Sequence, residues 1–251
     1  MKAIIRPPGA TFTQGITAAK LGPPDLPLAL EQHRAYCDAL RSIGVELIEL
    51  PASDEFPDST FVEDVAIAIP SGFILTNPGA PARKGEVALI ESFLNPVLGK
   101  IEAPGTLDGG DVCQMGHTFL IGLSERTNEE GSRQLAALLA AHGFECKMVD
   151  IRSSKTLLHL KSGLTYIDES LVIASKEIAG HLALSLFEVV SPQNDDDYAA
   201  NAVAINGKVL SAAGHEKLES RLRARGCDLI LLEMSEFQKM DGGLSCLSIR
   251  F

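Results

Sequence analysis

Cationic residues are in short supply in this sequence. Lys and Arg number 22 against 33 Asp and Glu, a formal net charge of −11 over 251 residues. Binding to nucleic acid draws much of its affinity from Lys and Arg on phosphates, so this balance argues against such a partner. Long apolar runs are also missing. None approaches the roughly 20 residues that a membrane-spanning helix requires. The opening MKAIIRPPGATF lacks the apolar stretch of a secretory leader and reads as a short strand followed by a loop. Paired cysteines are absent as well: Cys37, Cys113, Cys146, Cys227 and Cys246 are scattered, odd in number and form no CxxC. That pattern suggests neither a disulfide framework nor a structural zinc site. The expectation is a single domain over residues 1–251, in a reducing cytoplasm, with an acidic solvated surface, as a monomer or homodimer.

What the chain does contain is a repeat. CDALRSIGVELIEL, LAALLAAHGFECKMV and LESRLRARGCDLILL each read as an amphipathic helix, a glycine and an apolar strand. Gly44, Gly143 and Gly226 stand where a helix end needs the left-handed conformation. The second helix is expected to open with a capping box from Thr127 to Glu130. Between the helices lie paired apolar runs joined by tight turns, of which Asn206-Gly207 is the strongest hairpin signal. The order hairpin, helix, strand recurs about every fifty residues. Four modules fall near 61–103, 107–150, 157–190 and 201–233, and the two chain ends supply a fifth if they pair as its hairpin. The fold class expected is therefore α/β: five ββαβ modules closed into a propeller-like ring with pseudo-fivefold symmetry. Pairing the termini would protect the last sheet edges. An ordinary open α/β sheet is the alternative, but it would not need the hairpins.

Polar interruptions recur at one place in the repeat. Glu63 and Asp64 head the first strand of module one, Asp108 that of module two, His159 that of module three and Cys246 that of module five. Module four has Asn201 there, a residue suited to bracing backbone. Neighbours on a strand point to opposite faces, so Glu63 and Asp64 could share a site only if the strand starts or bulges between them. Equivalent positions on a ring converge at one end of its axis. A thiol beside a histidine oriented by a carboxylate makes an activated nucleophile, and Cys246, His159 and Asp108 fill those roles. The further acids Asp58, Glu63 and Asp64 would oppose an oxyanion and favour a cation. A guanidinium, whose planar fork matches carboxylates, is the natural candidate.

Six segments then carry a resemblance: DSTFVEDVA (58–66), PGAPARKGEV (78–87), TLDGGDV (106–112), GLSERTNEEG (122–131), LHLKS (158–162) and MDGGLSC (240–246). In order along nearly the whole chain, they resemble the motifs of the dimethylarginine dimethylaminohydrolase family. That family belongs to the guanidine-modifying superfamily with arginine deiminases and amidinotransferases, whose fold is the five-module α/β propeller (pentein). The resemblance implies Cys246 as nucleophile, His159 as general acid and base and Asp108 as its orienting carboxylate. It implies Asp58, Glu63 and Asp64 around the guanidinium, Arg83 and Arg126 on the substrate carboxylate and the backbone near Met240 on its α-amine. TQGITAAKLGPPD resembles the family's lid, with Ile16 as its apolar contact. The implied reaction takes asymmetric dimethylarginine or monomethylarginine to citrulline and an amine, through a covalent thiouronium. It needs no cofactor, and no dedicated metal site is expected. Hydrolysis of citrulline or arginine by the same chemistry, and a non-catalytic sensor of arginine derivatives, are the alternatives.

Overall fold

Each module folds into the same three-stranded sheet. The computed structural model describes residues 1–193 and 197–251, and five such sheets lie among them. β1 (Lys2–Ile5) and β2 (Glu46–Glu49) belong to the module that spans the termini. β3 (Ala66–Ile69), β4 (Gly72–Leu75) and β5 (Val97–Lys100) make the first complete module. β6 (Val112–Met115), β7 (Thr118–Leu123) and β8 (Glu145–Asp150) make the second. β9 (Leu164–Tyr166), β10 (Leu171–Ala174) and β11 (Glu188–Val190) form the third, and β12 (Val203–Ile205), β13 (Lys208–Ala212) and β14 (Leu229–Leu232) the fourth. β15 (Ile249–Arg250) completes the fifth. In every sheet the middle strand is antiparallel to its hairpin partner and parallel to the strand that returns by a crossover. The ring closes where β15 pairs with β1, in the register Ala3↔Arg250 and Ile4↔Ile249.

The first strands β3, β6, β9, β12 and β15 all line one central cavity, so they stand around the ring's axis. The middle strands lie behind them and are covered on both faces. Ile4, Ile74, Ile121, Ile173 and Leu210 occupy the centres of the five middle strands, and each is 0% exposed. That double coverage is why the middle strands read as continuous apolar runs. Burying each such side chain is worth about 1.5–3 kcal/mol.

The three expected helices form at Leu26–Ser42, Glu129–Ala141 and Glu216–Arg223. Gly44, Gly143 and Gly226 follow them with φ of 80°, 85° and 81°. The Asn206-Gly207 turn has φ of 49° and 75°, positive at both positions as a tight hairpin requires.

Two expectations change. The cap of Glu129–Ala141 is Asn128, whose side chain accepts from Gly131 N at 2.8 Å, and Thr127 is used elsewhere. The crossover of module three contains a 3-10 turn, Leu182–Leu184, in place of a helix. It must pass from β10 to β11 within residues 175–187 with Gly180 in its middle, and that leaves no uninterrupted helical stretch. Among the described residues no helix is long and apolar enough to cross a membrane.

Candidate active site

The polar residues of the repeat sit on 3-10 turns that precede the first strands, one step earlier than the strand starts expected from sequence. The turns are Val62–Val65, Gly109–Asp111, Leu160–Ser162, Asp197–Ala200 and Ser245–Leu247. Glu63, Asp64 and Cys246 lie within turns, Asp108 and His159 immediately before them and Asn201 immediately after. On a turn of three residues, successive side chains diverge by roughly 120°. This divergence answers the question that strand alternation raised, and it parts Glu63 from Asp64.

Cys246, His159, Asp58, Asp64, Arg83, Arg126, Met240 and Ile16 line one small cleft, together with Phe61, Leu158, Asp241 and Gly242. Asp108 lies behind His159 and is 0% exposed. Its Oδ2 is 3.0 Å from His159 Nε2, its Oδ1 accepts from Gly79 N at 2.8 Å, and its own N–H donates to Thr127 Oγ1 at 3.1 Å. Thr127, expected as a helix cap, thus supports the carboxylate. Gly110 lets the ring lie against backbone: a Cβ there would stand 2.7 Å from His159 Nδ1 and 2.9 Å from Asp64 Oδ1.

Asp64 accepts from Gly110 N at 2.8 Å through Oδ1 and from Arg83 Nη1 at 2.5 Å through Oδ2. Arg83 is buried and also donates to Glu86 and to the carbonyls of Phe61 and Asp58. Among the described residues, four of its five N–H groups find acceptors. The implied pairing of Arg83 with a substrate carboxylate meets an arginine already bound to two acids.

Glu63 lies outside the cleft. Its Oε1 is 2.6 Å from Lys161 Nζ and 3.0 Å from Arg250 Nη2, and its Oε2 accepts from Ser245 Oγ at 2.8 Å. It faces the central cavity, which shares no lining residue with the cleft. The grouping of Glu63 with Asp58 and Asp64 around one cation therefore does not match the geometry. A 3-10 turn sends the two neighbours apart, and Lys161 and Arg250 offset the Glu63 charge.

The lid is seated. Asp58 accepts from Ile16 N at 3.1 Å, and Asp241 Oδ2 accepts from Thr17 Oγ1 at 3.1 Å and from Ala18 N at 2.5 Å. Asp241 adopts φ of 55°, an uncommon conformation for a residue other than glycine. Beneath the lid, Phe12 packs on Phe61 and Phe237 with ring centroids 6.2 and 5.6 Å away.

Burial and charge set the protonation states. Burial alone would lower His159, but Asp64, the Asp108 hydrogen bond and Asp111 outweigh it and raise the imidazole to about 9. Burial works to raise Asp64, yet His159 and Arg83 hold it down to about 2. The Cys246 thiol is pushed up to about 12 by burial, then by the charges of Glu63 and Asp64. Burial also raises Asp58. At neutral pH these shifts favour a thiol, an imidazolium and an ionised Asp64.

Asp64, Asp108 and His159 each place a ligand atom within 4.8 Å of the others, close enough to hold a metal cation. The same atoms already serve Gly110, Arg83, Gly79 and one another.

Sequence reading missed several supporting residues. Asp111 fixes the His159 turn by accepting from Leu160 N at 2.9 Å, and Glu86 partners Arg83. Lys161, Arg250 and Asp241 were missed too. Asp111, Lys161, Glu86 and Asp241 all lie inside the quoted motifs, and that was the signal available, Glu86 standing three residues from its partner Arg83. Arg250 meets Glu63 from the far end of the chain, and no local pattern reports that.

The sequence profile of the arginine deiminase family, described as "Arginine deiminase", matches residues 52–195. N(G),N(G)-dimethylarginine dimethylaminohydrolase of Pseudomonas aeruginosa is 38% identical over 99% of this chain and 98% of its own. The protein of the same name from Streptomyces coelicolor is 36% identical, over 99% of this chain and 96% of its own. The solved structure of the Pseudomonas enzyme, a cysteine-to-serine variant complexed with citrulline, superposes with a TM-score of 0.96. It is 37% identical and covers 100% of this chain and 98% of its own. The N-terminal domain of ArgZ, a cyanobacterial arginine dihydrolase, shares the fold at a TM-score of 0.88 with 14% identity, covering 99% of this chain and 97% of its own. With a cysteine and a histidine–aspartate pair meeting at an acidic cleft on a five-module ring, and with relatives matched end to end, the chain belongs to the dimethylarginine dimethylaminohydrolase family.

Proposed function

We propose that this chain hydrolyses asymmetric dimethylarginine or monomethylarginine to citrulline and dimethylamine or methylamine, with Cys246 as nucleophile and His159 as general acid and base. The observation that carries the reading is the cleft, where the thiol and an Asp108-bound imidazole share a small space with Asp58 and Asp64. An oxyanion would be repelled there, whereas a guanidinium is complementary.

The charge states suggest how the thiol is activated. Burial, and then the nearby carboxylate charges, keep Cys246 protonated before substrate arrives. A guanidinium brought beside Asp64 offsets those charges, so its arrival lowers the thiol's pKa and the proton leaves to solvent. The thiolate then adds to the guanidinium carbon. His159, already an imidazolium, gives its proton to the departing amine, and the carbon–nitrogen bond breaks to leave a thiouronium on Cys246. Neutral His159 next takes a proton from water. The oxygen adds to the same carbon, the carbon–sulfur bond breaks, and the hydroxyl proton passes to the departing sulfur, so that citrulline and the Cys246 thiol separate. No redox partner or cofactor enters this balance.

Binding divides among the remaining residues. Arg126 is assigned to the substrate carboxylate with help from Arg83, whose main task is to hold Asp64 in place. The backbone near Met240 receives the α-amine, and Ile16 closes over the chain of the substrate. Glu63 is assigned to the support of the Cys246 turn rather than to the substrate.

Separate incubations with asymmetric dimethylarginine, arginine and citrulline, assayed for dimethylamine, ammonia and ornithine, test the substrate. Dimethylamine with stoichiometric citrulline is expected. Ammonia or ornithine without dimethylamine would instead establish arginine or citrulline as substrate, and saturable binding without any product would establish a sensor.

A further inference from the structure

The fourth module has a part that the reaction leaves unexplained. Where the other modules present an acid, a histidine or a thiol, it presents Asn201, which is 5% exposed and lines neither the cleft nor the central cavity. Its amide faces two other modules at once. Oδ1 accepts from Ser245 N at 2.9 Å, and Nδ2 donates to Ser245 Oγ at 3.0 Å and to Lys161 O at 2.9 Å. Ser245 immediately precedes Cys246, and Lys161 lies two residues after His159 on the adjoining 3-10 turn. Both Nδ2 hydrogens are used, so the plane of the amide is fixed by the turns it joins. Gly243 is seated on the same amide: a Cβ there would be 2.4 Å from Asn201 Cγ.

We propose that Asn201 is a positioning residue, an amide bridge that fixes the Cys246 turn relative to the His159 turn without touching substrate. The proposal rests on the assignment of Cys246 and His159 as the reacting pair. Glu63 also spans the two turns, but through side-chain ends, Ser245 Oγ and Lys161 Nζ, while Asp111 holds Leu160. Asn201 joins main-chain atoms of both, Ser245 N and Lys161 O. A side chain that only filled space would not need three hydrogen bonds divided between two turns. An aspartate of the same shape would place a carboxylate oxygen against the Lys161 carbonyl, and Ser245 Oγ already gives its hydrogen to Glu63.

The test uses the full chain carrying Asn201→Ala, with Asn201→Asp as a second variant that keeps the volume. Three quantities are measured: melting temperature, kcat and KM on asymmetric dimethylarginine, and the pH dependence of Cys246 alkylation by iodoacetamide. A nucleophile displaced by about 1 Å costs on the order of a hundredfold, so kcat is expected to fall about 30-fold or more in folded variants while KM changes less than about threefold. In the wild type, alkylation should show an inflection from His159 that His159→Gln removes, and the Asn201 variants should lose it too. Folded variants with kcat within about threefold of wild type and the inflection kept would overturn the proposal. Failure of both variants to fold would also overturn it, making Asn201 a prop of the fold. If the wild type releases no amine from dimethylarginine, the substrate reading fails, and the alkylation profiles still decide the role of Asn201.

Discussion

Glu63 and Asp64 show how much one step along the chain decides. They are adjacent, both acidic and both buried. Asp64 turns to the cleft and pairs with Arg83, while Glu63 turns to the axis and pairs with Lys161 and Arg250. Sequence placed both at the head of one strand, where sharing a site needed a strand start or a bulge, and the 3-10 turn beneath them parts them instead. Their neutralisation should have different consequences. Glu63→Gln removes a carboxylate from between two cations and is expected to cost about 2–4 kcal/mol, because it leaves Lys161 and Arg250 facing each other largely buried. Chemical denaturation checks this. Unchanged stability with a large rise in KM would return Glu63 to the substrate. Cys246, His159 and Asp108 were legible because a thiol, an imidazole and an acid at one phase of a repeat are hard to explain separately. Arg83 was legible as a participant but not in its task, since its second acid, Glu86, was not singled out.

At the scale of elements, the 3-10 turns are the devices that carry the chemistry, and their glycines set how closely modules approach. The sequence showed strands, helices and the Asn206-Gly207 hairpin through period and turn chemistry. It could not show short 3-10 turns, which have no hydrophobic period, nor the loss of a helix in module three. Gly109 and Gly110 divide the work. A Cβ on Gly109 would sit 1.9 Å from the carbonyl oxygen of Glu63, where backbone must move, whereas one on Gly110 would meet the His159 ring and the Asp64 carboxylate. Gly110→Ala is therefore expected to displace the ring and lower kcat by about tenfold to a hundredfold, as misplacement of a catalytic group does. Gly109→Ala is expected to compromise folding itself. Melting curves and steady-state kinetics on both variants separate the two, and a fully active Gly110→Ala would contradict the packing of His159 on backbone.

For the whole molecule, the ring gathers charge from separate modules into one buried set, and stability inherits the pH dependence of that set. His159 stands at about 9 when folded against an ordinary 6.5. Its contribution is fully present below pH 6.5 and is lost as pH rises through about 9. Asp64, held down to about 2 from 3.8, contributes above pH 3.8, and that contribution is lost as pH falls through about 2. Denaturation measured from pH 6 to pH 10 should show stability falling between about pH 6.5 and about pH 9 and levelling above, and His159→Gln should flatten the fall. An equally steep fall in the variant would assign the alkaline loss to other groups. The ring was legible because its modules repeat and its two ends supply the missing strands. What meets across modules was not, since those contacts lie far apart in sequence.

The central claim is that Cys246 bonds to the guanidinium carbon of a methylated arginine. Acid quench of the chain during turnover of asymmetric dimethylarginine, followed by mass analysis of the peptide containing Cys246, measures it directly. An adduct on Cys246 equal to the substrate less dimethylamine is expected, appearing with the first dimethylamine released and absent in Cys246→Ser. Continued release of dimethylamine by Cys246→Ser, or turnover of the wild type with Cys246 unmodified throughout, would contradict it.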